Sequence, residues 1–495
     1  MEEQNSGFIK FWKEYVDSEG VIHYSIINQK FISFLEGKGY RKLVVNKDFI
    51  LVKIKDNSIV SVTKEHLVRE EVKNLLKAEN KLTVLELFMK TDYLSKKHIE
   101  NIDSISIDFN SESDSMAVVY FKNGVFVITR DNIECIPYQL YDRYIWEDQI
   151  LNRDFNIKSF DDCEFKKFCF NIAGQKEDRF LALETLIGYL LHSHKDPTLT
   201  KAVVLIDEDI DTESKASNGG TGKSLVAEAI KKLIPTLRKN GKLLKANDKF
   251  LFADVEQHHK LIVFDDVRDD FPFELLYSML TGDMPIEKKY KNPVVMDFKD
   301  VPKVMITSNY VVIGTGGNSE ERRKVTFEVN SYYRTVTSIL DEFGHRFFDD
   351  WDENEWSKFD NFMVSCLQRY LTHGLIEAPS INEKANRLIQ ETNKDFVDFM
   401  DKIIANPRQC LYNQKDSDVR YDKATLYSSF IENNKEYSKT VSQITFKKWI
   451  DKYCDSNGIK YEHKKSDGKA YVYLFNILHN DPNQDNFYND NIILP

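Results

Sequence analysis

The residues with the most distinctive chemistry form a glycine-rich loop in the middle of the chain. Residues 217–224 read Ser-Asn-Gly-Gly-Thr-Gly-Lys-Ser, and a helical pattern follows at 225–233. Glycines let successive backbone amides turn toward phosphate oxygens, while a lysine neutralises those oxygens and a hydroxyl binds their metal ion. The usual first glycine of this motif is replaced by Ser217, and Asn218 can adopt a positive φ at small cost. The loop predicts a nucleoside triphosphate site with contacts from Ser217, Asn218, Gly219, Gly220, Thr221, Gly222, Lys223 and Ser224.

Two adjacent carboxylates follow a strand-like apolar run farther along the chain. Residues 261–264 read Leu-Ile-Val-Phe and lead into Asp265 and Asp266. The stretch of chain between Lys223 and Asp265 is long enough for one helix and one intervening strand. We therefore expect Asp265 to bind Mg²⁺ together with Ser224, and Asp266 to orient or deprotonate the attacking water. A strand-end turn, where aspartate is common, is the alternative for this pair taken alone.

A polar amide and a pair of arginines come next. The run at 304–307, Val-Met-Ile-Thr, predicts a strand that ends near Asn309, whose amide would contact both the γ-phosphate and the water. An arginine beyond it could reach into a neighbouring subunit and stabilise the charge of the transition state. A turn-capping asparagine and a solvated run of charges are the structural alternatives. The catalytic candidates are therefore Lys223, Asp266, Asn309, Arg322 and Arg323.

In this order, the loop, the acidic pair, Asn309 and the two arginines resemble the superfamily 3 helicases. The resemblance is closest to the primase–helicases of phages, plasmids and phage satellites and to the related poxvirus enzyme, and it covers about residues 160–380. It implies an α/β fold with a P-loop AAA+-like motor that uses ATP and Mg²⁺. It also implies a ring, usually hexameric, in which Arg322 or Arg323 completes the adjacent subunit's site. The implied activity is ATP-driven translocation on single-stranded DNA, with unwinding of duplex at a fork during replication of a mobile element.

This family also carries a hairpin that grips DNA in the central pore. Residues 281–291 occupy the corresponding place here, with strands expected at 286–290 and 294–298 and a turn at 292–293. By resemblance, the lysines of this hairpin become candidates for contacting DNA phosphates. An exposed hairpin edge that bears lysines is the structural alternative. The candidates are Lys288, Lys289 and Lys291.

The C-terminal part of the chain predicts two helices followed by a hairpin. Helical patterns cover 425–432 and 443–454, and an Asp-Gly pair at 467–468 lies between two strand-like runs. Helix, helix and basic hairpin are the layout of a winged-helix domain, which meets DNA with a recognition helix and a wing. Winged helices also serve protein–protein contacts. The DNA-binding candidates in this domain are Lys447, Lys448, Lys452, Lys464 and Lys465.

The first 150 residues predict a small α+β region with a hairpin turn at Asn123-Gly124. A primase centre needs clustered carboxylates, and this region offers Asp108 and Asn110 without a second cluster. We therefore expect an adaptor or a degenerate primase-like region rather than an active primase. The predicted domains are the α+β region at 1–150, a helical collar for oligomerisation at 151–200, the motor at 201–380, the winged helix at 381–480 and an irregular tail at 481–495.

Composition limits the class of protein and its surroundings. The net charge of −11 argues against a chain coated with nucleic acid, although local basic grooves remain compatible with it. The six cysteines form no Cys-x-x-Cys pair, which argues against zinc and disulfides and fits a reducing compartment. Neither a secretory signal nor an apolar run of about 20 residues is visible. We therefore expect a soluble protein of the bacterial cytoplasm.

The expected partners are single-stranded or forked DNA, further copies of the same chain, and a primase or polymerase. Two other functions are compatible with the same motifs. One is an origin-binding or loading ATPase that uses nucleotide as an assembly switch without processive unwinding, and only the lysines of the predicted pore hairpin argue against it. The other is a nucleotide-regulated scaffold with slow turnover. The complete set of Lys223, Ser224, Asp265 and Asp266 argues against that second alternative.

Overall fold

The chain folds as a mixed α/β protein with a five-stranded parallel sheet near its centre. No helix in the described part of the chain combines the length and the apolar character that crossing a membrane requires. The computed structural model describes residues 10–45, 48–105, 112–209, 220–244, 248, 250–287, 294–314, 320, 322–405 and 419–475.

The N-terminal region begins with a hairpin and a five-stranded sheet, followed by a separate three-stranded sheet. Strands β1 and β2 pair with each other, the order β10-β5-β4-β3-β6 makes the larger sheet, and β7-β8-β9 makes the smaller one. The helix Glu65–Ala78 buries Val68, Val72 and Leu76, which share one helical face because they are four residues apart. The strands are β1 (Trp12–Val16), β2 (Ile22–Ile26), β3 (Tyr40–Val45), β4 (Asp48–Lys55), β5 (Ile59–Val62), β6 (Ser104–Ile105), β7 (Met116–Phe121), β8 (Gly124–Thr129), β9 (Ile133–Ile136) and β10 (Ile145–Trp146), and the helices are Asn28–Gly37, Glu65–Ala78, Leu82–Lys90 and Lys96–Ile99.

The predicted hairpin of this region is confirmed, but its turn lies one residue earlier than expected. Phe121 pairs with Gly124, so Lys122 and Asn123 form the two-residue loop. Gly124 instead begins β8, and a Cβ atom on it would lie 2.8 Å from Sγ of Cys135 on the neighbouring strand β9. Close packing between strands therefore requires this glycine.

Two helices, Glu164–Ile172 and Glu177–Leu191, precede the central sheet and pack against the long helix Glu353–His373. The second of these helices approaches the long helix very closely at Gly188, where a Cβ atom would lie 2.1 Å from the carbonyl oxygen of Cys366. One hydrophobic core joins these helices, one face of the β7-β8-β9 sheet and the central sheet. The helical pattern predicted for this segment is confirmed.

The central sheet has the strand order β12-β13-β16-β11-β17, and all neighbours are parallel. Its three inner strands, β13, β16 and β11, are mainly apolar runs buried on both faces, as parallel strands with helices on either side require. Because the strands are parallel, the ends of β11, β13 and β16 meet at one edge. The elements are β11 (Ala202–Asp207), β12 (Thr236–Asn240), β13 (Leu261–Val267), β16 (Lys303–Ser308) and β17 (Lys324–Val329), with helices Lys223–Lys231, Tyr277–Thr281, Tyr332–Thr335, Ile339–Phe343 and Glu353–His373.

A short hairpin lies between β13 and β16, where the sequence predicts one. Its strands are β14 (Met284–Ile286) and β15 (Val294–Met296), so the prediction was wrong in the start of the first strand, expected at 286, and in the end of the second, expected at 298. Met284 pairs with Met296, and both are buried together with Ile286, which fixes this earlier register. The candidates Lys288, Lys289 and Lys291 lie outside the described residues.

In its described residues, 383–405 and 419–475, the C-terminal domain combines four α-helices with a three-stranded antiparallel sheet. The sheet order is β18-β20-β19, and a core that includes Phe396, Phe430 and Phe446 fills the space between sheet and helices. Both predicted helices and the Asp-Gly hairpin are confirmed, since Ser466 pairs with Lys469 across the turn. The elements are helices Glu383–Glu391 (the linker helix), Lys394–Ala405, Lys423–Asn433 and Gln443–Ser456, and strands β18 (Val419–Asp422), β19 (Tyr461–Ser466) and β20 (Lys469–Leu474).

Candidate nucleotide-binding site

The second half of the glycine-rich loop leads directly into a helix. Gly220 and Gly222 have φ values of 111° and 105°, in the region that favours glycine. Gly222 caps the helix Lys223–Lys231, and a Cβ atom on it would lie 2.6 Å from Cζ of Phe168. The start of a helix directly after a glycine-rich loop is a common anion-binding arrangement in proteins. The candidates Ser217, Asn218 and Gly219 lie outside the described residues.

Lys223 is nearly buried, with 7% of its surface exposed, and its ammonium group has three partners. Its Nζ donates to Oδ1 of Asp207 at 2.5 Å, to Oδ1 of Asn309 at 3.0 Å and to Oγ1 of Thr221 at 3.2 Å. Burial lowers the pKa of Lys223, while the Asp207 carboxylate acts in the opposite direction. The structure thus brings together the predicted residues Lys223, Thr221 and Asn309.

Asp207 is a member of this cluster that the sequence interpretation missed. It is the last residue of β11 and only 1% exposed. Its Oδ1 also accepts a hydrogen bond from Thr221 Oγ1 at 2.6 Å, whereas its buried Oδ2 has no hydrogen-bond partner among the described residues. The signal that was available is a carboxylate at the end of the strand that leads into the loop.

The predicted metal ligands Ser224 and Asp265 are also close together. Ser224 Oγ donates to Asp265 Oδ1 at 3.1 Å, and Thr307 Oγ1 on the next strand donates to the same oxygen at 2.8 Å. Arg238 Nη2 donates to the second oxygen, Asp265 Oδ2, at 2.6 Å. Burial raises the pKa of Asp265, but the bonds from Arg238, Thr307 and Ser224 outweigh it and hold that pKa below its usual value. Two hydroxyls and an ionised carboxylate are the oxygen ligands that suit Mg²⁺.

Asp266 has an unusual backbone conformation, with a φ of 56°. The register of β13 against β16 shifts at this point, between Phe264 and Val267. The Asp266 amide donates to Thr307 Oγ1 at 2.8 Å, and Lys242 Nζ lies 2.5 Å from Asp266 Oδ2. A non-glycine residue held in this region costs of order 1–3 kcal/mol, which is typical of functional sites. Thr307 therefore bridges both members of the acidic pair, and the sequence interpretation treated it only as a strand residue.

The two candidate arginines lie at the opposite edge of the sheet from the loop. The Arg323 carbonyl accepts a hydrogen bond from the amide of Ala202, where β11 begins, and Lys324 pairs with Ala202. The loop cluster lies at the other end of β11, about 20 Å away for a six-residue strand. Arg322 is exposed, while the Arg323 guanidinium lies 4.6 Å from the ring centroid of Tyr277. Neither arginine is placed to serve the site of its own chain.

A different arginine, Arg334, lies on the loop side of the same sheet. It belongs to the helix Tyr332–Thr335, which follows the end of β17, and its Nη2 lies 3.5 Å from Oδ2 of Asp209. Arg334 is near enough to Lys223 to contribute to the lowering of its pKa, after the larger effect of burial. The sequence interpretation missed Arg334 because it lies in a helical stretch well beyond the arginine pair.

The candidate DNA-binding lysines of the C-terminal domain divide into two groups. Lys452 Nζ lies 3.2 Å from Oε2 of Glu391 on the linker helix, and Lys464 Nζ lies 2.8 Å from Oε2 of Glu462. The exposed residues Lys447 and Lys465 instead lie near Lys423, whose pKa is lowered by burial and then by these two charges. Helix Gln443–Ser456 and strand β19 thus each bring a lysine near Lys423, while Asp451 on the same helix acts in the opposite direction on its pKa; Lys423, Lys447 and Lys465 are the basic cluster of this domain. The remaining candidate, Lys448, is exposed.

Comparison with known proteins gives one family match and several distant structural similarities. Residues 215–323 match the family of unknown function DUF5906. No curated protein matches the chain. Among solved structures, the apo C-terminal region of NrS-1 (residues 305–718) is 12% identical, with 90% of this chain and 98% of that chain covered and a TM-score of 0.43. A JCV helicase with a bound small molecule is 14% identical over 49% of this chain and 65% of that chain, with a TM-score of 0.27. Drosophila ORC bound to DNA is 11% identical over 66% and 94%, with a TM-score of 0.18.

Proposed function

We propose that this protein is an ATP-dependent DNA helicase of mobile-element replication, built around a P-loop AAA+-like motor of superfamily 3 type. The observation that carries the proposal is the cluster at one edge of the central sheet. There Ser224 Oγ lies 3.1 Å from Asp265 Oδ1, and Lys223 Nζ lies 3.0 Å from Asn309 Oδ1. Four residue types that triphosphate hydrolysis needs therefore converge from one loop and two strand ends.

Each of these residues has a distinct task in hydrolysis. The loop amides and the Lys223 ammonium bind the β- and γ-phosphates of ATP and neutralise their charge. Ser224 and Asp265 would hold Mg²⁺, which when bound polarises the phosphoryl group and neutralises developing charge. Asp266 orients the attacking water or accepts its proton, and Asn309 contacts the γ-phosphate and the same water. Asp266 is not buried deeply, so water and phosphate can reach it.

The arginines at the far edge of the sheet support catalysis shared between subunits. Arg322 is exposed and about 20 Å from the loop of its own chain, so it can stabilise transition-state charge only in another copy. Arg323, which lies against Tyr277, is the less accessible of the two. We therefore propose a ring of identical subunits, with Arg322 acting in the adjacent site.

Two basic surfaces are proposed to contact DNA. The hairpin between β14 and β15 would bear Lys288, Lys289 and Lys291 in the central pore. The C-terminal domain would act as a winged helix that contacts phosphates through the cluster of Lys423, Lys447 and Lys465. Both assignments agree with phosphate binding by local concentration of positive charge in a chain whose net charge is negative.

ATP hydrolysis and strand displacement on a forked duplex test the proposal. The wild-type protein is expected to hydrolyse ATP with Mg²⁺, faster with single-stranded DNA, and to separate the fork. Lys223→Ala and Asp265→Ala should each lower kcat by at least about a hundredfold, whereas Lys239→Ala, which removes an ion pair with Asp254, should not. A chain that stays monomeric with ATP and DNA and hydrolyses no ATP would refute the proposal. DNA-stimulated hydrolysis without strand displacement would instead favour the loading ATPase.

Subunit mixing tests the shared site. Arg322→Ala and Asp266→Asn subunits are each expected to be inactive alone, because each type lacks one half of every interface. Mixed rings contain some interfaces with both intact residues and should regain part of the ATPase activity. Mixtures of Arg323→Ala with Asp266→Asn show which arginine acts in the neighbour. Absence of recovery in both mixtures, with rings still formed, would contradict catalysis between subunits.

A further inference from the structure

The ammonium group of Lys223 has no hydrogen left for a phosphate in the arrangement observed. A protonated lysine has three N–H donors. They are directed to Oδ1 of Asp207 at 2.5 Å, Oδ1 of Asn309 at 3.0 Å and Oγ1 of Thr221 at 3.2 Å. A nucleotide can therefore bind Lys223 only if one of these bonds is given up.

The bond to Asp207 is the strongest of the three. It joins two opposite charges at the shortest distance, and charge-assisted hydrogen bonds are roughly twice as strong as neutral ones. Both side chains are buried, with 8% of Lys223 and 2% of Asp207 exposed, so water screens the pair little. Thr221 gives its own proton to the same Asp207 oxygen at 2.6 Å, which holds the carboxylate in place.

We infer that Asp207 is a positioning residue that competes with phosphate for Lys223 and thereby limits how tightly the proposed site holds ATP and its products. An incoming γ-phosphate must take the lysine from a carboxylate that stays buried beside it, and the two negative groups repel each other. The competition weakens nucleotide binding and favours release of the products. This role rests on the proposed nucleotide site and concerns its affinity rather than the hydrolysis step itself.

A purely structural role for Asp207 predicts a different outcome for the same substitution. Asparagine has the size of aspartate and keeps an oxygen that accepts from Thr221 and Lys223, but it has no charge. If Asp207 only shapes the loop, Asp207→Asn should leave affinity unchanged or weaken it. If Asp207 competes with phosphate, the variant should bind nucleotide more tightly, because Lys223 is released at lower cost.

Calorimetric titration with Mg²⁺·ADP and with a non-hydrolysable ATP analogue distinguishes these roles without relying on turnover. Asp207→Asn is expected to lower the Kd of each by at least about tenfold, since a buried like charge is removed. In ATPase assays KM should fall, and kcat should fall as product release slows. Asp269→Asn, an exposed carboxylate beyond β13, makes the same change of charge and should leave the Kd unchanged.

A folded Asp207→Asn variant with unchanged or weaker binding would overturn the inference while leaving the proposed function intact. Failure of the wild-type protein to bind either nucleotide would instead overturn the proposed function, and the inference with it. Thermal unfolding without nucleotide provides a second test. Lys223→Met should lower the Tm by a few degrees, because it leaves a buried carboxylate without its cation. Adding Asp207→Asn should restore the Tm, and a double variant no more stable than Lys223→Met would refute the pairing.

Discussion

Gln390 and Val311 are joined by two hydrogen bonds between a side chain and the backbone. Gln390 Oε1 accepts from the Val311 amide at 2.9 Å, and Gln390 Nε2 donates to the Val311 carbonyl at 3.0 Å. Val311 follows shortly after Asn309 of the candidate site, and Gln390 belongs to the linker helix. On the same helix, Asn386 Nδ2 donates to the carbonyl of Glu208 at 2.7 Å, directly after Asp207. The linker helix thus contacts two strand ends that form the site.

Removal of the Gln390 side chain should loosen this contact. Each of the two bonds contributes about 0.5–1.5 kcal/mol, so Gln390→Ala should favour local opening of the linker helix by about 1–3 kcal/mol. Hydrogen exchange of residues 383–391 should accelerate by about fivefold to a hundredfold or more. Arg387→Ala is the matched control, because its described ion pair is with Glu391 on the same helix. Equal hydrogen-exchange rates of the linker helix in wild type and Gln390→Ala would contradict a stabilising contact between Gln390 and Val311.

Arg238 should influence how strongly Mg²⁺ binds. Its guanidinium donates a hydrogen bond to Oδ2 of Asp265. Because 43% of the arginine side chain is exposed, this ion pair contributes only modestly to stability. Arg238→Ala should lower the Mg²⁺ concentration for half-maximal ATPase activity by about twofold to fivefold, because Asp265 becomes free for the cation. Lys239→Ala, one residue along, provides the control. A higher Mg²⁺ requirement in Arg238→Ala would show that Arg238 assists the metal site instead.

The C-terminal lysines should differ in their contribution to DNA binding. Lys447→Ala and Lys465→Ala should each weaken binding and lower the slope of log K against log salt by about 0.9 on duplex DNA, since each removes one phosphate contact. Lys452→Ala should change neither quantity appreciably, because that lysine is engaged by Glu391. Fluorescence anisotropy at several salt concentrations measures both. A larger loss for Lys452→Ala than for Lys447→Ala would contradict the proposed surface.

His345 should make stability depend on pH. Burial lowers the pKa of His345, but its contacts with Glu164 Oε1 at 3.0 Å and with the Arg346 carbonyl outweigh burial and raise the pKa above its usual value. The protonated histidine is therefore favoured in the folded state. Its stabilising contribution is complete below the unfolded pKa of about 6.5 and is lost as the pH rises through the folded value.

Urea unfolding of wild type and His345→Gln at pH 6 and pH 8.5 tests this expectation. The wild-type protein should lose more stability than the variant over this interval. Glu164→Gln should remove the same difference, since it keeps an acceptor for Trp351 Nε1 but loses the charge. An equal loss of unfolding free energy between the two pH values in wild type and both variants would show that the His345–Glu164 pair does not contribute to the pH dependence.

The sequence predicted those parts of the fold and the site that depend on local pattern. Apolar runs that end in Asp265 and Asn309 indicate buried strands, and the glycine-rich loop before a helix has a well-defined spacing. The strand end at Asp207 has a signal in the sequence, but the contacts that bring Asp207, Thr307 and Arg334 to the site depend on the strand order β12-β13-β16-β11-β17. That order is set by packing between distant segments, and no local pattern encodes it.

The exact turn position of the β7-β8 hairpin and the strand bounds of the β14-β15 hairpin also could not be predicted from local sequence. An Asn-Gly pair favours a turn at those two residues, but Gly124 is needed where β8 passes Cys135, so the turn moves back by one residue. Likewise, burial of Met284 against Met296 sets the bounds of the β14-β15 hairpin. In the first case a contact with a third strand, and in the second a buried pair within the hairpin itself, outweighs the preference of the turn residues.

Strand β17 runs from the arginine pair at one edge of the sheet to the helix that bears Arg334 at the other. Its neighbour β11 spans the same distance and ends at Asp207. The two paired strands therefore connect the loop end of the sheet with its arginine end. In the ring proposed above, these two strands would join the nucleotide site of one subunit to the surface from which Arg322 reaches the next.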